Sequence, residues 1–431
     1  MTPAARLAAA IEILARIETE RRPANDVVAE WGRSHRFAGS KDRAAISALL
    51  YDALRRRASA AWIMDDSSAR GVLLGSLREA RGLDIEAIAG LCSGETHAPE
   101  PLSEAEQSRL RDATTADAPP HIAGDFPEWL LPYLQTSLGD QLVEEMQAMA
   151  VRAPVDLRVN TLKATRDKVQ ASLAHLHASP TPFSPAGLRI AIGADGRAPP
   201  LHSERAFIKG EIEVQDEASQ IAAFLTGARE SEQVLDFCAG AGGKTLALSA
   251  QMKGRGQIYA FDADARRLAP IYERLERADA RNVQVRTPRG NAAPLAGLEG
   301  RCDLVVVDAP CTGTGTWRRN PDAKWRVRPG ALEQRVKEQD AALAAAQIYV
   351  KPGGRLAYLT CSLLRQENED RIGAFLDTHA DFEPIPAEVA CNEASLPNLA
   401  SNASSLGPGL RLSPATTHTD GFYACILRRM K

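Results

Sequence analysis

The chain has 431 residues, about three times the length of a typical domain, so two or three separate cores are expected. With 44% hydrophobic and 25% charged residues and no apolar run long enough to span a bilayer, the composition excludes a membrane helix, a disordered chain and a fibrous repeat. The net charge of -3 excludes a global cationic surface, so any nucleic-acid contact must be local.

Met1 to Ala10 lacks the charged start, apolar core and cleavage site of a secretory signal, and a cytoplasmic location is expected. From Arg6 to Ile17, Leu7, Ala10, Ile11, Leu14 and Ile17 recur at helical spacing, and Ile46, Leu49, Leu50, Ala53 and Leu54 repeat the pattern. An all-helical domain is expected over residues 1–92. Gly, Pro, Ser, Thr and acidic residues then dominate, which reads as a linker over 93–127 around at most one short helix.

A helical stretch is expected from Glu128 to Ala150. Val155 to Asn160 then alternates apolar and polar residues as a half-buried strand does, which puts Arg158 and Asn160 on its polar face. A helix holding Val169, Leu173 and Leu176 and a second alternating strand at Leu188, Ile190 and Ile192 complete a small α+β module ending near residue 214.

From residue 215 to 431 the pattern changes to short apolar strands, each ending in a polar residue and separated by helices. The strands are Val234 to Asp236, Ile258 to Asp262, Val283 to Val285, Leu304 to Asp308 and Leu356 to Thr360. Near-continuous apolar strands of this kind belong to a doubly wound α/β sheet covered on both faces. Chemistry in such sheets sits at the strands' carboxyl ends, where Asp236, Asp262, Asp308 and Cys361 fall. The stretch from Asn392 to Pro414 reads as an exposed loop.

The turn Asp236-Phe237-Cys238-Ala239-Gly240-Ala241-Gly242-Gly243-Lys244-Thr245 lets a ligand approach the backbone and the first N–H groups of a helix. Two ligand classes fit it. A phosphate loop needs a glycine where Cys238 stands, with Asp308 as a magnesium carboxylate, which keeps an ATPase open. A nucleoside without phosphates would be held by its ribose hydroxyls, for which Asp262 is placed. The seven cysteines contain no Cys-x-x-Cys pair, so reduced thiols and no metal site are expected. Two of them stand apart: Cys311 follows Asp308-Ala309-Pro310, and Cys361 lies in Thr360-Cys361-Ser362 at the next strand's end. A thiol there is positioned for nucleophilic chemistry rather than for packing.

These motifs, with Thr312 to Trp325, Glu367-Asn368-Glu369 and Asp420-Gly421-Phe422-Tyr423-Ala424-Cys425, resemble the RsmB/NOP/Sun family of S-adenosylmethionine-dependent RNA cytosine-C5 methyltransferases. The resemblance covers about residues 215–428. It implies a Rossmann-like catalytic domain preceded by an RNA-recognition-like module, and it implies a cytosine in small-subunit ribosomal RNA, or else in transfer RNA, as substrate.

The resemblance implies that Cys361 is the covalent nucleophile, with Cys311 of the Pro-Cys pair as its rival. Cys311 assists proton removal, Asp308 contacts the base and Lys244 lies at the pocket. Cys238, Ala239, Gly240, Ala241, Gly242, Gly243, Lys244, Asp262, Asn291 and Asp308 would line S-adenosylmethionine. The family usually carries Asp at the Asn291 position and Ala-Pro at Gly240-Ala241. The first helices are similar to a NusB-like domain. A monomer with no membrane partner is expected.

Arg318, Arg319 and Lys324, in a basic run beside Trp317 and Trp325, would pair with RNA phosphates, joined by Arg158 and Asn160. A non-catalytic RNA-binding or assembly factor stays open as a second class, supported by Asn291 and the altered turn.

Overall fold

The computed structural model describes residues 1–193, 199–288 and 293–431. It divides into two compact units. One gathers residues 1–152 and 317–329 with the described part of 192–197, and the other holds the rest.

The first unit is helical. Its first helix, α1 (Pro3–Glu20), begins with proline at the first turn, and the Thr2 hydroxyl accepts from the Ala5 N–H, which satisfies a donor that a helix start leaves open. Leu7, Ala10, Ile13, Leu14 and Ile17 form its buried stripe. They join Val27 and Trp31 of α2 (Ala24–Ser34) and Ile46 and Leu50 of α3 (Ser40–Arg55) in one core. The expected linker contains a helix, Glu104–Asp112, closed by a reciprocal Ser103–Glu106 capping box, and a further turn at Pro120–Ala123. The expected helix from Glu128 to Ala150 is broken at Gly139, whose φ of 56° only glycine adopts without strain.

Residues 317–329 belong to this unit although the chain reaches them from the catalytic sheet. Trp317 is fully buried, the Trp325 indole N–H donates to the Leu54 carbonyl at 2.7 Å, and Asp322 accepts from the Ala24 N–H at 3.1 Å.

The second unit contains two sheets. In the small one, β1 (Val155–Val159), β2 (Ser179–Pro180), β3 (Gly187–Ile190) and β4 (Ile212–Val214) run antiparallel in the order β2-β3-β1-β4. Leu157 and Val159 pack on Val169 and Leu173, as alternation requires. The opposite face of β1 turns inward: Asp156 pairs with Arg189 at 2.7 Å and accepts from the Glu217 N–H.

The large sheet is built from β5 (Gln233–Asp236), β6 (Gln257–Ala260), β7 (Val283–Val285), β8 (Cys302–Asp308), β9 (Val350–Thr360), β10 (Phe382–Pro384), β11 (Leu410–Leu412) and β12 (Phe422–Arg429). Its order is β10-β12-β9-β8-β5-β6-β7, with β11 paired to β12. The five strands from β9 to β7 are parallel, as the apolar runs predict, and β12 adds antiparallel to β9. The segment from Asn392 to Pro414 is not the exposed loop expected from its composition. Leu399, Leu410 and Leu412 are buried, and β11 pairs in register with Phe422 to Ala424.

Chain order reverses between β5 and β8, so the crevice of this sheet opens at Asp236 and Asp308.

Candidate active site

The turn after β5 enters the helix Gly243–Gln251 through Gly240 at φ 50° and Gly242 at φ 84°. A Cβ on Gly242 would lie 2.5 Å from Cγ1 of Ile271, so this position has neither the conformation nor the space for a side chain. Asp262, which follows β6 and is 3% exposed, accepts from the Gly240 N–H at 3.0 Å through one oxygen and from the Asp264 N–H at 2.9 Å through the other. Its carboxylate therefore fixes the turn.

Asp236 is fully buried beneath the turn. Its Oδ2 accepts from the Thr245 hydroxyl at 2.6 Å, and its Oδ1 has no partner among the described residues. Burial is the main cause that lifts this carboxyl to about 7. Burial likewise pushes up the thiol of Cys238, which stands in the same turn.

Lys244 crosses to β8. Its Nζ lies 2.7 Å from Oδ2 of Asp308 and 4.8 Å from the centre of the Phe422 ring. A phosphate loop needs this lysine free for phosphate oxygens and a glycine where Cys238 stands, and the turn offers neither. Three carboxylates at strand ends and an accessible backbone fit instead a cationic donor with a ribose.

Beyond Asp308 the chain turns back so that Cys311 meets Cys361 at the end of β9, with the two Sγ atoms 3.4 Å apart and both residues half-buried. Contact with Cys361, and then burial, push the Cys311 thiol well above its ordinary range. At this distance either thiol can donate to the other's sulfur.

Glu367 holds the two cysteine loops together, a role that nothing in the sequence signals beyond its place in a motif. Its buried carboxylate accepts from the N–H and hydroxyl of Thr312, from the Ser362 hydroxyl and from Nε2 of Gln339. Next to it, Asn368 accepts from Thr360 and donates to the Ser362 carbonyl. Gly315 and Gly421 pack backbone against backbone: a Cβ on Gly315 would lie 2.0 Å from the Gly421 carbonyl oxygen. This close approach requires glycine within Asp420-Gly421-Phe422 and delivers Phe422 to Lys244.

The residues expected to meet RNA phosphates lie elsewhere. Arg158 is 4% exposed, it faces Glu213 across the β1–β4 register, and burial brings its guanidinium down to about 10. The Asn160 amide donates to the carbonyls of Gly210 and Ala278 at 3.0 and 2.8 Å. Lys324 is 1% exposed, its Nζ donates to the Arg55 carbonyl at 3.0 Å, and desolvation lowers it to about 7. Arg318 is buried and its carbonyl accepts from Arg55. All four side chains are buried and have almost no surface to offer a phosphate, so these four expectations are corrected. Of the set, only Arg319 is half-buried. Asn291 lies outside the described residues.

Residues 223–428 match the model of the 16S rRNA methyltransferase RsmB/F, and residues 126–195 match that of the RsmF/B-like ferredoxin-like domain. The probable ribosomal RNA small subunit methyltransferase B of Synechocystis sp. is 32% identical over 70% of this chain and 67% of its own length. The corresponding protein of Vibrio cholerae is 32% identical over 74% of this chain and 70% of its own length. Among solved structures, PH0851 superposes with a TM-score of 0.74 at 25% identity, covering 100% of this chain and 99% of that one. A methyltransferase homolog from Pyrococcus horikoshii gives 0.58 at 25% identity over 72% of this chain and 98% of its own.

Fold, turn and strand-end acids together define a Rossmann-like methyltransferase whose methyl donor is S-adenosylmethionine. The chain belongs to the RsmB/F family of ribosomal RNA methyltransferases.

Proposed function

We propose that the protein methylates C5 of a cytosine in small-subunit ribosomal RNA through a covalent bond between Cys361 and C6 of the base. The observation that supports this reading most is the pair of thiols at adjacent strand ends, Sγ to Sγ at 3.4 Å, in a loop that begins at Asp308. The names of the relatives support ribosomal RNA as the substrate.

C5 of cytosine is a poor nucleophile and needs activation. The Cys361 sulfur forms a bond to C6, which moves electron density to C5 and on to N3. The Asp308 carboxylate accepts from the exocyclic amine of the base and so orients it, and the Lys244 ammonium, 2.7 Å from Asp308, offsets that charge. When bound, S-adenosylmethionine supplies the methyl group as an electrophile on a sulfonium sulfur. Cys311 then serves as the base: once it has released its own proton to solvent, its thiolate takes the proton from C5, and the bonding electrons expel the Cys361 sulfur from C6. A thiol held at high pKa is a strong base once deprotonated, which suits Cys311 to this step. Addition at C6 needs the ring face, so the target base leaves its stack.

Bisulfite sequencing of total RNA from a deletion strain tests the proposal. One 5-methylcytosine in small-subunit ribosomal RNA should disappear, and it should return with the wild-type chain but not with Cys361→Ala. Loss of a site in transfer RNA instead would move the substrate, and an unchanged pattern would overturn the reaction.

A further inference from the structure

The helical unit carries a groove that the catalytic chemistry does not use, and the matched family models begin only at residue 126. A cavity of about 780 Å³ lies between α1 and the end of α2, within the size range of small-ligand sites. Ala5, Ala8 and Ala9 form one flat wall at helical spacing, and Trp31, His35 and Phe37 line the other. The Trp31 and His35 rings stack at 4.2 Å, Phe37 meets His35 edge-on at 5.7 Å, and Phe37 is 72% exposed, the most exposed large hydrophobic side chain among the described residues. The buried indole N–H of Trp31 has no acceptor among the described residues, and Glu12 adds a carboxylate to the lining.

The same stretch is basic. Arg33, Arg36, Lys41 and Arg43 are all exposed, and none of the four forms an ion pair among the described residues. The one acid among residues 33–43, Asp42, is already paired with Arg6 at 2.8 Å. Cations alternating with aromatic rings beside a flat slot are what an unstacked base on a phosphate chain requires: stacking for the ring, a donor and an acceptor for its edge, and charge for the flanking phosphates.

We infer that the groove between α1 and Phe37 binds single-stranded RNA, with one base entering against Phe37 and His35 and the adjacent phosphates on Arg33 and Arg36. This rests on the reading of the protein as an RNA methyltransferase and places a substrate contact outside the catalytic unit. It also gives a surface location to the phosphate-pairing charge that Arg158, Arg318 and Lys324 do not supply.

The test uses the full chain, a fluorescein-labelled single-stranded RNA of mixed sequence, and the variants Phe37→Ala and Arg33→Glu/Arg36→Glu. All three side chains are exposed, so folding is preserved and is checked by the melting temperature. Phe37→Ala should weaken binding about tenfold, the loss of one stacked base. The double charge reversal should weaken it further and lower the slope of log affinity against log salt by about 0.7 for each cation removed. Affinity and slope unchanged in both variants would overturn the inference and leave the groove to a protein partner. Methyl transfer by the wild type is scored separately: RNA binding lost in the variants while the wild type methylates nothing would sustain the groove and sink the proposed reaction.

Discussion

Lys244 and Asp308, which lie 64 positions apart in the chain, meet at 2.7 Å across the crevice where the strand order reverses. The lysine is 8% exposed and the carboxylate 33%, so the ammonium is enclosed while Asp308 keeps one oxygen toward the opening. A carboxylate oriented in this way presents a fixed acceptor to a base edge. Asp308→Asn should lower the methyl-transfer rate by about 10²- to 10⁴-fold, the usual worth of a positioned acid or base. Lys244→Met should cost less, since Asp308 remains but loses its orientation. Single-turnover transfer of labelled methyl groups measures both, with calorimetry following donor affinity. An Asp308→Asn enzyme with the wild-type rate would remove the residue from the chemistry.

The shared proton of the cysteine pair gives a second prediction with two distinguishable arms. Cys361→Ala should abolish transfer, because the one sulfur left beside the base, that of Cys311, serves the proton at C5 and not the bond to C6. Cys311→Ala should still form the bond but fail to resolve it, so a covalent protein–RNA species should accumulate and be visible as a shifted band on a denaturing gel. An adduct that depends on Cys311 and survives Cys361→Ala would exchange the two assignments.

Asp262, proposed to hold the methyl donor, also builds the turn on which that donor would rest. It accepts from the Gly240 and Asp264 N–H groups, so both oxygens already order backbone before any ligand arrives. Asp262→Ala should weaken S-adenosylmethionine binding by about tenfold or more, since two backbone donors are left unpaired along with any lost ribose contact. Isothermal titration measures this. Asp262→Asn, which keeps an acceptor, should recover part of the loss. Equal affinities for all three proteins would mean that the donor binds elsewhere.

The contrast between the catalytic sheet and the basic segment shows what the sequence makes legible. Parallel strands are nearly pure apolar runs, and their ends are marked by Asp236, Asp308 and Thr360, so both strand type and the place of the candidate site follow from local pattern. The run from Trp317 to Arg328 carries no such mark. Its cations look solvated in one dimension, and only tertiary packing shows Lys324 donating to the Arg55 carbonyl, 269 positions away. Arg158 and Asn160 fail for a related reason: alternation identifies a polar face but not whether water or protein covers it. Glu367 is legible as a motif letter and illegible as a clamp, because its partners Thr312 and Gln339 come from other loops. The segment from Asn392 to Pro414 misleads through composition, since four buried leucines, Leu396, Leu399, Leu410 and Leu412, are enough to pin a stretch rich in Ser and Asn.

Asp236 carries a pH prediction whose sign follows from its burial. Its carboxyl stands at about 7 in the folded chain against 3.8 for the ordinary group, so folding favours the protonated form. The folded state then binds more protons than the unfolded state between those values, and this contribution to stability is full below about pH 4 and is lost as pH rises through 7. Three pKa units correspond to a loss on the order of a few kcal/mol. Asp236→Asn keeps an oxygen for the Thr245 hydroxyl and cannot ionise, so it does not undergo that loss. The melting temperature of the variant minus that of the wild type should therefore grow by about 5 °C or more between pH 4.5 and 7.5, given a few degrees per kcal/mol for a domain of this size. Taking the difference cancels the other titrating groups. A difference that stays constant across this range would show that the Asp236 carboxyl ionises as freely in the fold as in water, and the unpartnered Oδ1 would then have to be satisfied by solvent.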